Sequence, residues 1–210
     1  MNRRSESESP PQTLRDRFRE TTAQAILAAA EELFADAGLH AARMDDIAAR
    51  AGVSVGTRYN HFQDREALLT GLMEARHSEL IGALEAAAGT PAGRPFRDRL
   101  RALVVALLGH CERHRKFFQI VLQREIGKYK SADTIAQLHG LIDKVMKQGL
   151  KEKVLRPETA DLGTVFLMGM VRALVLRAVA TPAGGDDQGL VVEADRVVDA
   201  FLNGLGGRGA

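Results

Sequence analysis

Ile47-Ala48-Ala49-Arg50-Ala51-Gly52-Val53-Ser54-Val55-Gly56-Thr57-Arg58-Tyr59-Asn60-His61-Phe62 reads as two short helices on either side of a glycine. Met44, Ile47, Ala48 and Ala51 fall at i, i+3, i+4 and i+7, the spacing of one helical face. Gly52 breaks that helix, and Ser54 is placed to cap the next, Val55 to His61. Ala48 and Ala51 are small enough for two helices to approach, Val53 is expected to plug the core between them, and Phe62 to be core. Two short helices joined by a tight glycine turn form a helix-turn-helix. Helical hairpins are common, so the chemistry must come from the second helix. Its small opening residues let a helix N-terminus come close to phosphate. Thr57, Tyr59 and His61 offer donors to phosphates, the Tyr59 ring being expected to pack, and Arg58 and Asn60 can reach base edges or backbone.

Working outward, a helix is predicted from about Arg15 to Asp36, with Ile26, Ala30, Leu33, Phe34 and Ala37 at helical spacing and Gly38 as its stop. A capping box of Thr21 with Gln24 would start that helix later. Asp64 can cap a long helix from Arg65 to about Ala88, which ends in a Gly- and Pro-containing breaker. Further helices are predicted over Pro95 to Arg113, Lys116 to Ile126, Ala132 to Leu150, Pro157 to about Ala180, and Leu190 to Leu205. The domain boundaries expected are a disordered arm over 1–14, a helix-turn-helix head over 15–64, a helical effector-binding and dimerisation domain over 65–205, with 65–88 linking the two, and a flexible tail over 206–210.

The 210 residues are 45% hydrophobic and only 5% aromatic, with no Trp and two Tyr. Ala and Leu dominate, which favours helices over sheets. The fold class expected is all-α, about nine helices, with no strand. One cysteine, Cys111, excludes an intrachain disulfide and a cysteine-rich metal site. The polar first residues lack the apolar core of a secretory signal. The longest apolar run, Leu162 to Ala180, contains Arg172 and Arg177, both costly at a bilayer centre, and is read as a buried helix of a soluble, cytoplasmic protein with no membrane partner.

The ordered set of motifs resembles the TetR family of repressors. It comprises Ile-Leu-x-Ala-Ala-x-x-Leu-Phe-x-x-x-Gly over Ile26 to Gly38, Ile47-Ala48, then Ala-Gly-Val-Ser-Val-Gly-Thr-x-Tyr-x-His-Phe, then Glu66-x-Leu-Leu, and covers about residues 18–75. The resemblance implies an all-helical homodimer: a three-helix DNA-binding head, and a larger domain that binds a small effector and dimerises through its last two helices. By position it implies that Val55, Gly56, Thr57, Tyr59, Asn60 and His61 face DNA. Arg65 stands where the family usually has a phosphate-binding Lys. Arg43 replaces the usual Ser or Thr before the second helix; it can reach phosphate but is a poor cap. Arg58 stands where the family is usually apolar: either its stem packs and its head snorkels out, or it reads DNA.

Charge is a matter of placement. Residues 1–76 hold ten Lys+Arg against twelve Asp+Glu, so binding rests on Arg15, Arg17, Arg19, Arg43, Arg58 and Arg65 near the recognition face, with Arg3 and Arg4 on the arm. Residues 94–130 are basic, ten Lys+Arg against three Asp+Glu, and are read as a solvated face rather than an anion site. The dimer interface is expected from Leu162, Phe166, Gly169, Ala173, Leu176, Val191, Ala194, Val198, Phe201 and Leu202, as a four-helix contact about a two-fold axis. A mainly apolar effector pocket is expected from Leu72, His77, Leu103, Leu107, Phe117, Val121, Leu138, Ile142, Met146, Phe166 and Met170. His77, His110 and His139 are polar exceptions on apolar stretches, ordinarily satisfied core or surface residues.

No phosphate loop or nucleophile motif appears, so no enzyme activity and no catalytic residue are expected. His110, Cys111 and His114 lie on one helical turn and a half without an acidic partner in the set, a weak metal site, so no metal site and no cofactor are expected. The partners expected are double-stranded operator DNA, a small effector and a second copy of the chain. A repressor is favoured; the alternatives are a ligand-responsive activator, or a helical interaction module that binds no DNA.

Overall fold

The computed structural model describes residues 13–89, 93–121, 132–159, 162–180 and 189–205. Among them are nine α-helices and no strand. The arm over 1–12, the stretch 122–126 of the helix predicted from Lys116 to Ile126, the 181–187 loop and the 206–210 tail lie outside the described residues. The chain divides between Leu68 and Leu69 into two compact units.

The head begins with α1, Leu14–Ala37. Thr13 caps it: the Asp16 amide donates to Thr13 Oγ1 at 3.2 Å, and the Thr13 amide donates to Asp16 Oδ2 at 3.1 Å. This capping box displaces the one expected at Thr21, whose hydroxyl instead donates to the Arg17 carbonyl within the helix. Residues 13 and 14, expected in the arm, are therefore the cap and first turn of α1. Ile26, Leu27, Ala30 and Phe34 are buried, whereas Leu14 and Phe18 are exposed. Gly38, at φ +86°, closes the helix with its amide on the Phe34 carbonyl.

The short helix α2, Met44–Arg50, buries Ile47 and Ala48 and packs against α1. Arg43 precedes it without a side-chain cap, as expected of an arginine. Arg50 pairs with Glu32 of α1 at 2.7 Å. At the turn, Gly52 adopts φ +71°, and the Val53 amide returns to the Ala48 carbonyl at 3.0 Å. Helix α3, Val55–His61, starts with the Thr57 amide on Ser54 Oγ at 3.0 Å. Helix α4, Arg65–Ala88, starts with the Ala67 amide on Asp64 Oδ1 at 2.8 Å. Val53 and Phe62 are half-buried rather than core.

No atom stands within 4 Å of where a Gly52 Cβ would be, so only backbone conformation restricts that position. Gly52→Val is expected to cost the head about 1–2 kcal/mol, because a β-branched residue resists the left-handed region. Gly52→Asn should cost clearly less. Urea unfolding of the two variants checks this; equal losses would mean that the turn does not need the left-handed conformation.

The second unit is built around α5, Phe96–Arg113. Leu100, Leu103, Val104, Leu107, Leu108 and Cys111 are buried along it. That is a wide apolar stripe, and α5 accordingly packs against α6 (Arg115–Val121), α7 (Ala132–Lys151), α8 (Gly163–Ala180) and α9 (Ala194–Leu205). Ile142, Val145 and Met146 of α7, Leu167, Val171 and Val175 of α8, and Val197, Val198 and Phe201 of α9 complete this core. Pro157 opens a separate 3-10 turn, Pro157–Thr159, so α8 begins at Gly163 rather than at the proline. A second 3-10 turn, Val191–Glu193, leads into α9, and Glu112 accepts from the Leu190 and Val191 amides at 2.9 and 3.1 Å.

The basic residues of α5 and α6 lie mostly on an exposed face, as expected, with Arg97, Arg101, Arg113 and Lys116 exposed, but several are paired within this unit. Arg97 and Arg101 pair with Asp199 and Asp195 of α9 at 2.6 and 2.7 Å. Arg99 is buried and reaches Gln148 and Glu152 at the end of α7. Arg115 donates to the Ala178 carbonyl. The Arg101 guanidinium holds the Asp195 carboxyl below its ordinary range.

Helix α8 is long and apolar enough to cross a membrane, yet it is not the buried helix expected. One face, with Thr164, Leu167, Val171 and Val175, is buried. The opposite face exposes Leu162, Val165, Phe166 and Leu176 together with Arg172 and Arg177. Among the described residues, the helices packed on α8 leave this outer face uncovered.

Candidate nucleic-acid interface

Six residues of α3 stand at the head's surface around one buried anchor. Val55, Gly56, Tyr59 and Asn60 are exposed, and Thr57 and His61 are half-buried. Tyr59 is 56% exposed, so its ring does not pack into the head as the sequence suggested. Thr57 Oγ1 lies 2.8 Å from Ser54 Oγ, which holds the hydroxyl at the start of the helix.

Arg58 is the anchor. It is only 6% exposed, and its Nη1 donates to the Phe62 carbonyl at 3.2 Å and to the Gln63 carbonyl at 3.4 Å. The guanidinium lies 5.9 Å from the centre of the Tyr59 ring. Neither expectation for Arg58 holds in full: its stem packs, but its head turns inward to those carbonyls instead of snorkelling out, and a side chain so committed is not presented to a base. Arg58→Leu is therefore expected to leave base preference unchanged while costing about 1–3 kcal/mol of stability through the unpaired carbonyls. Operator selection with the variant checks it; a changed consensus would return Arg58 to the reading face.

Arg65 is likewise drawn inward. It donates to the Leu39 carbonyl and, at 2.7 Å, to the Ala42 carbonyl, closing the loop between α1 and α2. It is half-buried, with both carbonyl contacts directed away from a phosphate role. Arg43 is exposed. Beside α3, an open groove of about 630 Å³ is lined by Arg15, Asp16, Phe18, Arg19, Thr22, Asn60 and His61. The exposed start of α1 and the end of α3 thus share one surface, carrying two arginines and a protruding phenylalanine. Phe18 and Thr22 were not singled out from the sequence, because an exposed aromatic on a polar helix end has no periodic signal.

The residues expected around an effector are scattered in environment. Leu103, Leu107, Ile142 and Met146 belong to the core of the second unit, and Leu138 and Met170 pack partly buried against it. Leu72 and Phe117 are buried. His77 Nε2 lies 3.2 Å from Gln137 Oε1, and His139 is half-buried. The Val121 side chain lies outside the described residues. Phe166 is 44% exposed on the outer face of α8 and so lines no interior.

The residues expected at a dimer interface separate into two groups. Leu162, Phe166, Gly169, Ala173, Leu176 and Val191 are exposed. Ala194, Val198 and Phe201 are fully enclosed in the chain's own core, and Leu202 packs partly buried against it. The apolar stripe of α9 faces α5 and α8, so those four are removed from the interface set.

Residues 26–72 match the model of the bacterial regulatory proteins of the tetR family. The chain is 34% identical over 100 residues to the HTH-type transcriptional activator FasR of Mycolicibacterium smegmatis, a match taking in 48% of this chain and 45% of that one. It is 25% identical over 197 residues to the HTH-type transcriptional repressor BepR of Brucella suis, covering 88% of this chain and 91% of that one. In fold it is similar to the fatty acid degradation regulator FadR from Bacillus halodurans, with a TM-score of 0.71 at 22% identity over 87% of this chain and 98% of that one. PfmR from Thermus thermophilus gives a TM-score of 0.71 at 23% identity, covering 85% and 97%. The match to FasR thus spans about half of that relative's length, within a fold shared over nearly the whole chain. Over residues 26–72 the chain thus carries the match to the tetR family of bacterial regulatory proteins, and its fold is similar to solved regulators of that family over nearly its whole length.

Proposed function

We propose that this chain is a cytoplasmic transcriptional regulator that binds a palindromic operator as a homodimer and has no enzymatic role. The observation that carries this reading is the exposed face of α3, where Tyr59 and Asn60 stand beside Thr57 and His61, next to Arg15 and Arg19 of α1. A capped helix start, hydroxyl and amide groups, and flanking arginines suit phosphate anchoring with base-edge readout. The dimer is supported by the exposed stripe of Leu162, just before α8, and Phe166, Gly169, Ala173 and Leu176 along it, whose spacing follows one helical face and whose small central residues allow a second helix to come close. A second copy covering that stripe also accounts for an apolar α8 without a membrane. A repressor released by a small, mainly apolar effector in the second unit is the mode of action we favour, since its lining would come from an almost wholly aliphatic core. Activation is the alternative, and the named relatives include one of each sign.

The test is selection of duplexes from a random library with the purified full chain, followed by titration of the selected site against salt. A palindromic consensus whose affinity falls steeply with salt is expected, since each phosphate neutralised releases counterions. Absence of any enriched sequence, repeated with protein refolded to strip a bound effector, would remove the DNA-binding reading. Reporter expression after deletion of the gene then separates repression from activation.

A further inference from the structure

Outside the α3 face, the second unit contains a polar cluster of two buried histidines and an exposed glutamate that neither DNA binding nor dimerisation uses. Glu79 of α4, His110 of α5 and His114 at the C-terminal cap of α5 each present one donor atom, all within 4.8 Å of one another. His110 and His114 are four residues apart, so both imidazoles rise from one face of a helix end, with ring centres 4.7 Å apart. His110 is 3% exposed and His114 is also buried. Glu79 Oε2 lies 2.7 Å from His114 Nε2, while its Oε1 accepts from Arg76 Nη1 at 2.6 Å.

A structural ion pair explains part of this. Glu79, itself exposed, joins the buried Arg76 and His114 in one network. It does not explain His110, whose Nδ1 is buried with no hydrogen-bond partner. A buried imidazole nitrogen without a partner is costly and needs a reason. Along the sequence, the acidic neighbour Glu112 is turned away to the Leu190 and Val191 amides, and the fold supplies a carboxylate from α4 instead.

We propose that Glu79, His110 and His114 bind one divalent transition-metal ion of the zinc class. Two imidazoles and one carboxylate are borderline donors that suit zinc, and a pair of histidines four apart on a helix with an acidic third ligand is a spacing that chelates it. Donor atoms on one zinc ion, at bonds of about 2.1 Å, lie about 3.4 Å apart. Side-chain rotation of roughly an ångström therefore closes the cluster. Arg76, on the far oxygen of Glu79, is an outer partner that orients the carboxylate. Three protein ligands leave one position for water or for a donor atom of a ligand bound in this unit. Cys111 adjoins the cluster in sequence, but its side chain is buried in the apolar core of this unit.

The experiment uses the full chain, stripped with a chelator and titrated with Zn²⁺ in competition with a chromogenic chelator, in a Cys111→Ser background as well as the native one. One ion per chain is expected, in both backgrounds. Affinity should fall about 100-fold in His110→Gln and in His114→Gln, and about 10-fold or more in Glu79→Gln. Zn²⁺ should raise the melting temperature of the native chain and not of the variants. Should a variant fail to fold, the native chain still decides: imidazole NMR signals of His110 and His114 must both shift on adding one equivalent. No stoichiometric binding, binding that survives in the His110→Gln/His114→Gln double variant, or binding that leaves those two imidazoles unshifted would each overturn the site.

Discussion

Phe166→Asp is expected to turn a dimer into a monomer while leaving the fold of the chain intact, and Phe201→Ala to do the reverse. The two phenylalanines look alike in sequence, each on an apolar helix near the C-terminus. In the structure Phe166 is 44% exposed and Phe201 is 2% exposed. A charge at position 166 costs the isolated chain little, because the side chain already meets solvent, but it places two carboxylates in an apolar contact once α8 meets its copy. Sedimentation at micromolar concentration should then report a monomer. Affinity for a full palindromic site should fall by about 10²–10⁴, since a monomeric head loses the gain of binding two half-sites together. Phe201→Ala opens a cavity among α5, α8 and α9 and should cost about 3–5 kcal/mol in denaturant unfolding. A Phe166→Asp protein that remains a dimer would sink the α8 interface. A stability loss below about 1 kcal/mol for Phe201→Ala would contradict the enclosed position of its ring.

Tyr59→Ala combined with Asn60→Ala is expected to lower operator affinity by about 100-fold or more, at about 1–3 kcal/mol for each lost contact. Both side chains are exposed and their removal leaves no cavity, so unfolding stability should stay within about 0.5 kcal/mol of the native chain. The contrast with Arg58→Leu is what makes the pair informative. Arg58 is the more obvious reader of DNA by residue type, but its guanidinium is committed to the Phe62 and Gln63 carbonyls. Filter binding or anisotropy with the selected duplex, alongside urea unfolding, measures both properties. Native affinity in the double variant would mean that the exposed face of α3 is not the reading surface, whatever the head binds.

By itself the sequence determined the head's local architecture. Ser54 and Asp64 cap α3 and α4 where their spacing predicted, Gly52 takes the positive φ that the turn demands, and Ile47 and Ala48 face inward. These features depend on residues within a turn or two of one another, so hydrogen-bonding capacity and φ preference settle them locally. The start of α1 escaped the sequence although it too is local: the capping box forms between Thr13 and Asp16 rather than between the Thr21 and Gln24 that the pattern suggested. Tertiary structure alone decided the rest. Whether an apolar stripe is core or free surface depends on which helices arrive beside it, so α8 and α9 could not be told apart by periodicity, and Phe166 and Phe201 were expected together. Arg58 was undecided because its partners are carbonyls whose positions exist only once α3 ends. Glu79 was invisible beside His110 and His114 because the packing of α4 against α5, not nearness along the chain, brings a carboxylate to two buried imidazoles.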